Sequence, residues 1–198
     1  MFFDKQSHEH VWVTRLVNQG KSLTASPLLA SFFTLGWIPV ATTVIVFLIG
    51  DPSPIFIIAQ SLTASIVVLG PYQAYLYDTS VLPSFFSDVK ELIPNEKHDL
   101  LNQLQRNYEQ KFRTNHLWFV LLWTVAVVSV LPLNAEYFFE QGIRFLEPTY
   151  VVYLLFLINF GLLSGLGLYS VIVTTQCIGA VAELGLEIEP LHPDGLGG

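Results

Sequence analysis

The chain has 198 residues, of which 52% are hydrophobic and only 13% charged, and its net charge is -7. So few charges cannot coat a water-soluble surface, where about a quarter is usual, and nine Lys and Arg residues in an acidic chain argue against nucleic acid as a partner. A single cysteine, Cys177, excludes an internal disulfide and any Cys-rich metal cluster, and fits a small apolar position on a helix.

The N-terminal segment, residues 1–26, begins "MFFDKQSHEHVWVTRLVNQGK" and mixes Phe2, Phe3, Val11, Trp12, Leu16 and Val17 with scattered charge. That mixture predicts a short helix lying in an interface plane. Stretches 22–50, 52–77, 114–135 and 148–182 each reach the about 20 predominantly apolar residues that a bilayer crossing needs. Ser26-Pro27 and Ser53-Pro54 each place a capping residue before a proline at the first helical position, where the missing N–H costs nothing. The predicted spans are 28–49, 55–77, 116–138 and 150–173. The first apolar run is too long for a signal core and has no small-residue cleavage site after it, so it reads as a retained anchor.

Orientation follows from the basic residues, which are retained on the cytoplasmic side. Lys5, Arg15 and Lys21 precede the first span, and Lys90, Lys97, Arg106, Lys111 and Arg113 lie between spans two and three. The turn Asp51-Pro52-Ser53-Pro54 has none, and the loop 139–149 has only Arg144. Both termini are therefore expected in the cytoplasm, with the chain in the cell membrane. Tyr72, Tyr75, Tyr77, Trp118 and Trp123 would form the inner aromatic belt, and Tyr137, Phe138, Tyr150 and Tyr153 the outer one.

No Asp, Glu, Lys or Arg falls within the apolar stretches 22–50, 52–77, 114–135 and 148–182, Glu136 lies near the outer end of the third span, and His116 stands only at the inner edge. Buried ionisable groups mark proton relays and cofactor sites, so a proton pump, a voltage sensor or a bis-histidine haem is not expected. Ion conduction through neutral groups stays open. Gln60, Thr63, Asn159 and Gln176 are the neutral polar residues that could either bond between helices or line a polar path. Pro39, Pro71 and Pro132 can bend three of the spans.

Between spans two and three, residues 78–115 carry six acids against five bases, which argues against a polybasic lipid-binding role. Leu101, Leu104, Tyr108 and Phe112 recur at helical spacing and form one apolar stripe. A helix capped by Asn95 is predicted to run into the third span, since no Gly or Pro interrupts 95–131, and a shorter helix 83–93 ends at Pro94. In the fourth span Gly161, Ser164 and Gly165 form a small-residue face for close helix packing, within the chain or between subunits. The uncharged run 148–182 would be about 50 Å long as one helix at ~1.5 Å per residue, so it must tilt, bend or protrude beside the 95–115 helix.

The chain closes on "PLHPDGLGG". Pro193, Gly195, Gly197 and Gly198 favour a tight turn. His192 and Asp194 could instead join His8 and His10 around a metal, since all four are expected on one side. The seven residues from His192 to Gly198 resemble a His-Pro-Asp-Gly-x-Gly-Gly stretch of uncharacterised prokaryotic multi-pass membrane proteins, where it lies in a loop between membrane segments. That resemblance implies a further element after Gly198 and carries no activity.

These observations predict an all-α, four-span transmembrane helix bundle with a cytoplasmic helical extension between spans two and three. Its parts are the N-terminal segment 1–26, a first helix pair 27–77, the cytoplasmic helices 78–115, a second pair 116–182 and a cytoplasmic tail 183–198. The expected partners are the lipid bilayer, further copies of the chain as a homo-oligomer, and a cytoplasmic protein. No cofactor and no nucleic acid are expected. The function that follows is an oligomeric channel- or transport-type bundle rather than an enzyme. The alternatives are a sensor or scaffold signalling through its cytoplasmic helices, and a membrane enzyme with the metal site above.

Overall fold

A computed structural model describes residues 11–185, the side chains of 113 and 114 excepted. Among these residues the structure is helical, with no strand. The helices are α1 (Trp12–Gly20), α2 (Pro27–Ile49), α3 (Pro54–Glu91), α4 (His98–Thr114), α5 (His116–Leu133), α6 (Ala135–Glu140) and α7 (Pro148–Ala182). By length and composition α2, α3, α5 and α7 can each cross a membrane.

The bundle is built around α7, which packs along α5 and also touches α2, α3 and α4. Bare backbone makes the closest contacts possible. A Cβ placed on Gly161 would come within 2.9 Å of the Thr124 backbone in α5, and one on Gly165 within 3.0 Å of Trp123. The Trp123 indole N–H donates to Ser164 Oγ at 3.0 Å. The small-residue face of α7 is thus occupied by α5 of the same chain. Outside this packing Ile66 and Leu122 are 73% and 70% exposed, as apolar side chains facing lipid would be.

Two cores are stacked along the bundle. One joins Val46, Phe56, Leu131, Phe138, Tyr153 and Phe156 near the α2–α3 turn, the end called apical below. The other joins Val17, Phe86, Leu101, Phe112, Tyr169 and Cys177 at the end that carries α1 and α4, called basal. Leu101, Tyr108 and Phe112 of the α4 stripe are buried in this second core, with Leu104 packed against it. α1 buries Val13, Thr14 and Val17 against α2 and α3.

Several predicted boundaries need correction. The helix of the second span does not stop at 77 but continues to Glu91 through a π turn at Tyr77–Val81, and α2 contains another π turn at Phe32–Gly36. Each of these wide turns lies just before a proline, Pro83 or Pro39, whose absent N–H and bulky ring would clash with regular α geometry. The helix predicted without a break over 95–131 is interrupted at Asn115, between α4 and α5. There the Tyr169 hydroxyl donates to the Lys111 carbonyl at 3.0 Å, giving a last-turn acceptor a partner outside its own helix. Asn95 does not cap α4; it starts a short 3-10 turn, and α4 begins at His98. Ser53 caps α3 by accepting the Phe56 N–H, whereas the Ser26 side chain makes no such bond. The third span ends at Leu133, just past Pro132, and α7 runs well beyond 173 alongside α4.

Candidate functional site at the basal junction

Polar chemistry in the described residues gathers where α1, α3, α4, α5 and α7 converge. The buried positions of α3 follow one helical stripe: Phe56, Gln60, Ala64, Val67, Pro71, Tyr75, Asp78, Leu82, Phe86 and Val89. Asp78 belongs to this stripe, inside the π turn, and is only 2% exposed. A carboxylate so placed requires hydrogen-bond or charge partners. One is the N–H of Val11, which precedes α1 and donates to Asp78 Oδ2 at 3.3 Å. Asp78 lies one residue past the predicted end of the second span, on the same continuous helix. Beside Asp78 lies a cavity of about 180 Å³ bordered by Leu82, Phe86, Lys90, Leu101 and Glu109.

His116, the first residue of α5, is also buried, and neither ring nitrogen makes a hydrogen bond of good geometry. Desolvation dominates its surroundings, while the Phe112 carbonyl one turn back, Arg15 and Asp78 all lie near enough to act on its charge. The Thr14 hydroxyl, buried on α1, likewise has no partner. Such orphaned polar atoms carry a desolvation cost of about 1–3 kcal/mol each.

A hydroxyl cluster completes the junction. Tyr77 from the π turn, Tyr108 from α4 and Thr174 from α7 are mutually hydrogen-bonded, with Tyr108 and Thr174 at 3.1 Å. Three helices are pinned at one point. Burial, above all, raises the Tyr108 phenol above its ordinary value; Tyr77 adds to the rise and the Thr174 bond opposes it. Lys21 Nζ donates to the Tyr75 hydroxyl at 3.1 Å and stands over the same ring. Lys97 Nζ donates to the Leu184 carbonyl, fastening the start of α4 to the end of α7.

The residues singled out in the sequence are spread along the bundle. Gln60 Nε2 donates to Thr43 Oγ1 at 3.2 Å, joining α3 to α2. The Thr63 hydroxyl bonds back to Ala59 of its own helix. Asn159 is buried with Oδ1 unpartnered, and Gln176 stands at the basal end, where it accepts from Lys111. Among the described residues no hydrogen bond links these four into one path. His8, His10, His192 and Asp194 lie outside the described residues, within which no group of three His, Cys, Asp or Glu is arranged to hold a metal.

Asp78 was missed because a span delimited by its charges ends just before any charge it buries. Its spacing of three from Tyr75 and four to Leu82 was the available signal. His116 was placed at the edge, and its burial could not be foreseen.

In architecture this is an all-helical bundle, with four helices long and apolar enough to cross a membrane and a second helical layer fused to one end. No family model, curated protein or solved structure matches the chain.

Proposed function

We propose that the protein is a membrane sensor or scaffold in which α3, crossing the bilayer and entering the basal layer as one body, couples the membrane to α4 and its surroundings. The observation carrying this reading is the continuous passage of α3 from Pro54 to Glu91, with buried Asp78 and half-buried Tyr77 at the crossing point. A displacement of the span reaches the basal layer because a packed, hydrogen-bonded joint shifts as a unit and does not deform continuously. The basal end is assigned to the cytoplasm, since Arg15, Lys21, Lys90, Lys97, Arg106 and Lys111 belong to its segments and only Arg144 to the apical loop.

The oligomeric channel or transporter expected from composition has less support. Gln60 and Thr63 bond within the chain, and Gly161 and Gly165 are used by α5. The enzyme alternative depends on four side chains outside the described residues.

The test is a distance measurement between spin labels at Ser87 in α3 and Asn107 in α4, in bilayers of short- and long-chain lipids. A change in distance with bilayer thickness is the expected result. An invariant distance speaks against coupling, and ion or solute flux in liposomes would favour the channel reading. Labelling of cysteines introduced at Pro52 and Leu100 from opposite sides tests the orientation.

A further inference from the structure

A cavity of about 600 Å³ lies between α4 and the basal part of α7. Its lining includes Asn107, Lys111 and Asn115 on one side and Val173, Gln176 and Cys177 on the other, and no carboxylate among the described residues. That is unusual in a chain with sixteen Asp and Glu residues and a net charge of -7. Lys111 Nζ donates to a neutral partner, Gln176 Oε1, at 3.2 Å, and makes no ion pair among the described residues. The cavity thus offers one unneutralised ammonium amid neutral carboxamides, a complement to a single anionic group with several acceptor oxygens.

Its depth points to the source of that anion. Counting about 20 residues for a hydrocarbon core from Tyr150 on α7 puts the basal boundary near Ser170. Val173 to Cys177 then lie about 5–10 Å beyond it, at the level of lipid headgroups. Exposed Trp118, two turns from Lys111 along the α4–α5 path, marks the same interface. Diffuse attraction does not account for binding here, because residues 78–115 carry more acids than bases.

We propose that this cavity binds the headgroup of an anionic phospholipid from the basal leaflet. Lys111 faces the lipid phosphate, Asn107, Asn115 and Gln176 donate hydrogen bonds to it, and Val173 with Cys177 forms an apolar wall. The inference rests on the membrane placement above and gives the α4–α7 joint a lipid ligand.

The test is native mass spectrometry of the intact protein in detergent, titrated with phosphatidylglycerol, phosphatidylcholine or soluble glycerol 3-phosphate. Phosphatidylglycerol should be retained in preference to phosphatidylcholine. Lys111→Gln should weaken that retention about fivefold, Lys111→Arg should keep most of it, and Lys90→Gln, on a different cavity, should leave it unchanged. Equal retention of the two lipids, or an unaffected Lys111→Gln protein, overturns the inference. So does glycerol 3-phosphate competing as well as the lipid, which would make the ligand a soluble phosphate. Wild-type protein that enters lipid nanodiscs without headgroup preference removes the lipid site alone; protein that fails to enter them removes the membrane reading as well.

Discussion

The two ends of the bundle are closed by different chemistry. At the apical end the joint is neutral and largely made of backbone. Gln141 Oε1 accepts both the N–H and the hydroxyl of Ser53, at 2.9 and 2.7 Å, tying α6 to the α2–α3 turn. α6 itself ends in a Schellman motif: Ile143 N–H donates to the Phe138 carbonyl and Gly142 N–H to that of Phe139, with Gly142 at φ 75°. Phe56, Phe138 and Tyr153 fill the space beneath. At the basal end the joint contains a buried carboxylate, a buried imidazole and a phenol cluster, reached from five helices. An apical closure needs only to satisfy its own backbone, which a tight turn and one amide do cheaply. Buried ionisable groups cost more than a turn requires, and that excess makes the basal end the candidate functional site.

This contrast can be broken from either side. The largest effect is expected at Asp78. Asp78→Ala leaves the Val11 N–H without its acceptor and should cost about 2–3 kcal/mol, with α1 released to proteolysis before the spans unfold. Equal protease resistance would show that the carboxylate does not hold α1. Next is the seam that connects the two ends. Gly161→Ala presses a methyl against Thr124 backbone, which cannot swing aside, and should cost about 1–3 kcal/mol in detergent denaturation. Gly167→Ala, with nothing within 4 Å, should cost nothing or stabilise slightly.

At the apical end Gln141→Ala removes two bonds to Ser53 and should cost about 1 kcal/mol without altering α1 protection. A change in α1 protection would mean that the ends are energetically linked. The smallest effect is expected from Tyr108→Phe, at about 0.5–1 kcal/mol in neutral solution. Its pH dependence is more telling. Because the folded-state pKa of Tyr108 is raised, the neutral phenol stabilises the fold fully below the unfolded value near 10, and that contribution is lost as pH rises above it. Wild type should therefore lose stability in alkali more steeply than Tyr108→Phe. Parallel curves would place the phenol's burial outside the energetics of the joint.

The spans were legible because hydrocarbon imposes its requirement locally, residue by residue, over windows of about twenty positions. The α4 stripe was legible for a similar reason: Leu101, Tyr108 and Phe112 announce a buried face by spacing alone, although nothing in the spacing names Phe86 and Tyr169 as the rings they meet. Helix ends were read less well. Charge was taken to end the second span at Asp78, yet helix formation depends on backbone geometry, and a π turn before Pro83 carries the helix through. At Asn115 the opposite happened, since a stretch without Gly or Pro breaks where α4 turns to pack on α7.

The sequence by itself determined that four helices are long and apolar enough to cross a membrane, because transfer free energies act on each side chain separately. Which residues meet is a different matter. That Asp78 lies against α1, that Tyr77, Tyr108 and Thr174 share one hydrogen-bonded point, and that Lys111 lines a cavity with Asn107, Asn115 and Gln176 were decided only by the tertiary structure. Those pairings join residues as much as 97 positions apart, and they depend on helix crossing and rotation, which packing among all the helices settles together.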